Sequence, residues 1–303
     1  MPAAARLDAM LARLADQIVL LAVLGAALAL VIPSHPLARR SDLLLAALVL
    51  VTALGIAPRR LVMLRERLGT LLILSISPFL VLTALGWALG RPFSGPVRDG
   101  ILALGLSSSE VASVGLVALA GGDAILALGV LTGSLVTSAV LGPLLATALG
   151  HTTGHANSLG LLGRFALVVL LPLLLGLITR GALPAIQHGE GALGGLSTLT
   201  VCTLVYAALS GLSGGHDLPA AALGSLAFLL ANSLLALTMA RLIRGVDAAA
   251  VGLTTGLRDF AVAAALATQA FGPASGTVAG IYGVLMLIAG AITATVLRRH
   301  PAH

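Results

Sequence analysis

Long apolar runs leave this chain few ways to fold. About ten can be marked, near 15–33, 41–57, 68–90, 99–120, 124–149, 161–179, 193–213, 218–243, 246–271 and 276–297. A helix needs roughly 20 residues to cross a hydrocarbon core about 30 Å thick, and most of these runs approach or exceed that length. They are continuous rather than alternating, which argues against a membrane barrel. The expected fold is an all-α polytopic membrane protein of about ten transmembrane helices. Ten spans use about 200 of the 303 residues and leave only short loops. Composition agrees: 58% of residues are hydrophobic and 9% charged, against about 25% charged in soluble domains. A soluble enzyme and a disordered chain are both excluded by these numbers.

The charge of +6 comes entirely from arginine, and it falls between apolar runs rather than in one patch. That distribution does not support nucleic-acid binding; it reads as a membrane topology signal. With ten spans both termini share one side. That side holds eleven arginines: Arg6, Arg13, the Arg59 to Arg67 group, Arg180, Arg241, Arg244, Arg298 and Arg299. The other side holds five: Arg39, Arg40, Arg91, Arg98 and Arg164. The bias puts both termini in the cytoplasm and the chain in the plasma (cytoplasmic) membrane. Asp8 and Asp16 dilute any basic leader, so the first run reads as a retained helix. Cys202, the single cysteine, lies in an apolar run and provides no disulfide. No P-loop, dinucleotide fingerprint or Gly-x-Ser-x-Gly occurs, so neither a nucleotide partner nor an enzyme activity is expected.

The fourth and ninth runs differ from the rest. The fourth contains Gly105-Leu106-Ser107-Ser108-Ser109-Glu110-Val111-Ala112; the ninth contains Gly252-Leu253-Thr254-Thr255-Gly256-Leu257-Arg258-Asp259-Phe260-Ala261. Each passes from Gly-Leu through hydroxyls and ionisable groups into an alanine-rich stretch. Each is the fourth run of a five-run half, so residues 1–150 and 151–303 divide into two repeats. An odd number of spans per half inserts the halves in opposite senses, as in carriers whose broken helices meet near mid-membrane.

A charge at the bilayer centre costs about 2.5–3.5 kcal/mol, yet Glu110, Arg258 and Asp259 all fall inside these two runs. A broken helix frees carbonyls that can ligate a cation, while the next half-helix offers an N-terminus that attracts an anion. The expected cation and substrate site is Ser108, Ser109, Glu110, Ser113, Thr254, Thr255, Arg258 and Asp259. Ser77, Thr132 and Asn232 are outlying candidates. The three charges sum to −1, which one sodium ion or one proton would balance. A structural alternative is a Glu110–Arg258 ion pair stapling two helices; it does not exclude function.

At these residues the sequence resembles the bile acid:sodium symporter family, in a superfamily that also holds arsenite permeases. The likeness covers most of the chain and is most specific at 112–123 and 255–259. The resemblance implies a panel bundle and a core bundle, each drawn from both repeats, with helices four and nine unwound and crossing. It also shows departures. Val111-Ala112-Ser113-Val114 stands where the family carries Thr-Ala-Ser-Asn. Thr254-Thr255-Gly256-Leu257-Arg258-Asp259 stands where it carries Glu-Thr-Gly-x-Gln-Asn. No glutamine precedes Pro78, where Ser75 and Ser77 are found. Ligands that would help hold two sodium ions are thus replaced by Val114, Thr254 and Arg258. A guanidinium there would repel sodium or substitute for it as a fixed cation.

The function expected is secondary active transport of a small organic anion, coupled to sodium or protons, by alternating access around helices four and nine. Apart from that coupling ion, no cofactor or metal is implied. Alternatives are an uncoupled or metalloid-oxyanion carrier, and a non-transporting scaffold or sensor. The oligomeric state is unassigned. Elsewhere, Thr132, Ser134, Thr137 and Ser138 read as a packing face, Pro78 and Pro172 as kinks, and Asp123 as a helix cap. His151 and His155 read as part of a solvated connector, having no third metal ligand beside them.

Overall fold

A computed structural model describes residues 17–38, 40–59, 64–93, 95–151, 158–183, 190–210, 218–243 and 245–299. The described structure is helical, and the principal helices are numbered here α1 to α12. The first half holds α1 (Ile18–Val31), α2 (Ser41–Gly55), α3 (Leu68–Gly90), α4 (Gly95–Gly105), α5 (Ala112–Leu119) and α6 (Ala124–Leu149). The second holds α7 (Ser158–Ala182), α8 (Glu190–Ser210), α9 (Leu218–Leu242), α10 (Ala248–Gly256), α11 (Phe260–Phe271) and α12 (Gly276–Arg299). Among the described residues six helices are long and apolar enough to cross a bilayer; α1, α2 and α11 are shorter apolar helices. Leucines such as Leu72, Leu80, Leu174, Leu230 and Leu234 are half or more exposed on the long helices. In water that would be a large liability, whereas in lipid it costs nothing.

Residue chemistry accounts for the helix limits. Asp123 starts α6 by accepting the backbone N–H groups of Ile125 (3.1 Å) and Leu126 (2.9 Å), and Asp247 starts α10 through Ala250 N–H (2.6 Å), as a capping carboxylate should. Pro172 follows a π-helical turn at Ala166–Leu170 inside α7, which absorbs the missing N–H of proline. The connector containing His155 lies outside the described residues.

α1 packs on α8, α8 also on α2, and α2 on α7, while α3 to α6 pack with α9 to α12 in a larger bundle; the two groups touch through α6 with α7, α8 with α12 and α1 with α12. The pairings come in matched sets: α3 with α4 and α6, and α9 with α10 and α12; α4 with α11, and α5 with α10; α1 with α8, and α2 with α7. Close approach within the larger bundle relies on small residues. A Cβ on Gly86 would stand 2.9 Å from Ile101 O, and one on Gly105 would come within van der Waals overlap of Leu82 O. α3 and α4 therefore touch backbone to backbone beside the end of α4.

Candidate functional site

Helix α4 stops at Gly105 and α5 starts at Ala112; α10 stops at Gly256 and α11 starts at Phe260. The two interruptions meet. Ser109 and Arg258 form an antiparallel bridge, in which Glu110 N–H donates to Leu257 O (2.9 Å) and Asp259 N–H donates to Ser108 O (2.8 Å). Backbone freed by two broken helices is thus satisfied by mutual pairing within the buried interior.

Neighbouring helices close the remaining valences in a matched way. Ser109 N–H donates to Ser134 Oγ on α6 (3.0 Å), and Arg258 N–H donates to Tyr282 Oη on α12 (3.2 Å). At the end of α4, Ser138 Oγ donates to Leu106 O (2.6 Å) and Thr83 Oγ1 contacts Gly105 O at 3.4 Å. At the end of α10, Asn232 Nδ2 donates to Gly256 O (2.8 Å). Each group is an orphan carbonyl of a helix C-terminus capped from an adjacent helix. The hydroxyls of Ser134 and Ser138, expected to serve helix packing, instead hold the first interruption in shape.

The two acids sit at half-helix N-termini, where the helix dipole favours negative charge. Asp259 Oδ1 accepts N–H groups from Ala261 (2.9 Å) and Val262 (3.0 Å). Glu110 Oε1 lies 3.5 Å from Ala112 N. Glu110, Arg258 and Asp259 are each 1% exposed. Among the described residues no ion pair joins Arg258 to Glu110 or Asp259. The stapling pair considered from sequence is therefore not formed. Side chains alternate across extended backbone, so Arg258 leaves the bridge on the face opposite to its neighbour Asp259. Glu110, paired in register one step from Ser109, is likewise out of step with Arg258.

Most of the expected residues converge here. Ser108, Ser109, Glu110, Ser113, Thr254, Thr255, Arg258 and Asp259 are all buried at or beside the interruptions, as is Asn232. Unpartnered buried atoms concentrate among them: Ser108 Oγ, Glu110 Oε2, Ser113 Oγ, Asn232 Oδ1, Thr255 Oγ1, Asp259 Oδ2, and Arg258 Nε and Nη2. Such groups are costly unless a ligand, an ion or ordered water partners them. Thr254 Oγ1 donates within its own helix to Ala250 O (2.6 Å). The outliers are less engaged: Ser77 and Thr132 donate to Ile73 O and Leu128 O of their own helices. Tyr282 was not legible as a site residue. It is fully buried, edge-on to Phe228 with centroids 5.7 Å apart, and also 3.4 Å from Asn232 Nδ2. Its only sequence signal is that it is one of two tyrosines in the chain.

A cavity of about 680 Å³ approaches the second interruption. It runs from Gly256 and Leu257 to Arg241 and Asp247 at the helix ends, between α9, α10, α12 and the end of α5. That volume suits a small organic molecule. Its walls are mainly Ala, Gly and Leu, and none of the eight buried polar residues lines it.

An apolar helical body with several helices long enough to cross a bilayer, and with charge buried at paired helix breaks, is that of an integral membrane protein. A family model matches residues 16–288, and the chain belongs to the SBF-like CPA transporter family. It is thus a membrane transporter of the bile acid:sodium symporter type. A comparison with curated proteins finds no match.

Proposed function

We propose that the protein is a secondary active carrier of a small organic anion, coupled to sodium or protons. It works by alternating access around the crossing of two broken spans, α4–α5 and α10–α11. The observation that carries this reading is the antiparallel pairing of the two interruptions, with a buried carboxylate at the start of each following half-helix. The matched helix pairings support two inverted five-span repeats, residues 1–150 and 151–303, with ten spans in all. The smaller bundle then acts as a panel against which the larger core rocks. Both termini are cytoplasmic in the plasma membrane, on the arginine bias.

Ser108, Ser109, Glu110, Ser113, Thr254, Thr255 and Asp259 supply oxygens for one coupling ion, with Asn232 beside them. Arg258 takes the place of a second, exchangeable cation. Being covalently fixed, it contributes charge without being transported. The apolar cavity at Gly256 and Leu257 accommodates the body of the substrate.

Arg258→Gln tests the role of the guanidinium. Uptake of organic acids into proteoliposomes is measured with and without a sodium gradient. The variant is expected to acquire a stronger sodium dependence than the wild type. Unchanged coupling and unchanged rate would remove Arg258 from the mechanism.

A further inference from the structure

A second group of ionisable side chains surrounds a cavity of about 260 Å³, away from the paired interruptions. Trp87 and Arg91 come from the end of α3, Arg98 and Asp99 from the start of α4, and His151 from just beyond α6. The larger cavity is lined by α9, α10 and α12, the counterparts of α3, α4 and α6 in the repeat proposed above. There Arg241 and Asp247 hold the corresponding helix ends.

The charges in the smaller cavity do not cancel. Asp99 is the one carboxylate in its lining, with a side chain 8% exposed. Its Oδ1 lies 3.5 Å from Arg98 Nε and 3.5 Å from His151 Nδ1. Those are charge contacts rather than hydrogen bonds, and both Arg98 Nε and Asp99 Oδ1 remain buried without a hydrogen-bond partner. The Arg91 guanidinium carbon sits 4.8 Å from the Trp87 ring centroid, and no carboxylate pairs with Arg91 among the described residues. Two arginines therefore face one acid even when His151 is neutral. A guanidinium stacked on an indole keeps its N–H edge free, and that edge matches the fork of an oxyanion.

We propose that this cavity is a binding site for a small oxyanion, a carboxylate or a phosphate group, gripped by Arg91 and Arg98 above Trp87. The volume is below that of most drug-sized pockets, so it admits a headgroup or a small acid. The group is supplied by a dissolved anion or by an anionic lipid. Binding here does not require that the protein transport anything.

The chain carries its own reporter, because Trp87 is its single tryptophan. Purified full-length protein in detergent is titrated with sodium acetate or inorganic phosphate at constant ionic strength, with sodium chloride as control, while tryptophan emission is followed. A saturable change is expected with acetate or phosphate and none with chloride. Arg91→Gln and Arg98→Gln should each raise the half-saturating concentration at least about tenfold, the loss typical of a charge-assisted bond. Arg98→Lys keeps the charge but loses the fork; it should weaken binding several-fold and serves if the glutamine variant does not fold. Repeating the titration in phosphatidylcholine nanodiscs with and without phosphatidylglycerol separates the two sources. Competition by phosphatidylglycerol identifies a lipid phosphate, and its absence identifies a dissolved anion. Equal response to chloride, or wild-type titration by the arginine variants, overturns the proposal.

Discussion

The two interruptions share a bridge but are held differently. The first spans the six residues between Gly105 and Ala112 and is rich in serine; the second spans three, Leu257-Arg258-Asp259. Asp259 caps its half-helix with two N–H bonds of 2.9 and 3.0 Å, whereas the Glu110 carboxyl reaches Ala112 N–H at 3.5 Å and also the backbone of Phe260, at the start of the other half-helix. The bridge residue of the first is held by the small Ser134, and that of the second by the bulky Tyr282. The second interruption is thus a short fixture that buries two ionisable side chains, Arg258 and Asp259. The first is a longer loop, whose glutamate reaches across to the half-helix of the second.

The glycines that end α4 and α10 give the largest contrast. A Cβ at Gly105 collides with the Leu82 carbonyl, while one at Gly256 meets only the Ala236 methyl at 3.0 Å. Gly105→Ala should destabilise the protein by about 3 kcal/mol and Gly256→Ala by about 1 kcal/mol or less. Equilibrium unfolding in mixed micelles reads the difference, and equal losses would break the comparison. Next come the caps. Asp259→Ala should cost about 2 kcal/mol, while Asp259→Asn keeps the cap and recovers most of the loss. The same unfolding assay measures it; an Asn variant as damaged as the Ala variant would mean that the charge, not the cap, supports the fold. Smallest is Tyr282→Phe, which leaves the Arg258 N–H unsatisfied for about 1 kcal/mol. A neutral outcome would show that the second interruption does not depend on its hydroxyl.

Much of this was readable from the chain because lipid makes charge expensive. Glu110, Arg258 and Asp259 stood out inside apolar runs, and the runs at 68–90 and 124–149 coincide with α3 and α6. Asp123 was also legible as a cap, since its signal is local. The side-chain directions at the bridge were not. They follow from register between segments about 150 residues apart, which composition does not carry. Tyr282 was hidden for a related reason: a tyrosine in an apolar helix is ordinary until its hydroxyl finds a particular N–H. His151 looked like part of a solvated connector, and it is largely exposed, but it also reaches Asp99. That pairing depends on where α4 and α6 end in space.

The central claim is that the paired interruptions couple an ion gradient to movement of an anion. Its most direct test is accumulation of a panel of small organic acids in proteoliposomes, read by mass spectrometry, under an imposed sodium or proton gradient. The wild type should concentrate at least one acid above equilibrium, and Glu110→Gln, folded as judged by its unfolding curve, should lose that accumulation. Full accumulation by the Glu110→Gln protein, or none by the wild type under either gradient, would contradict the account.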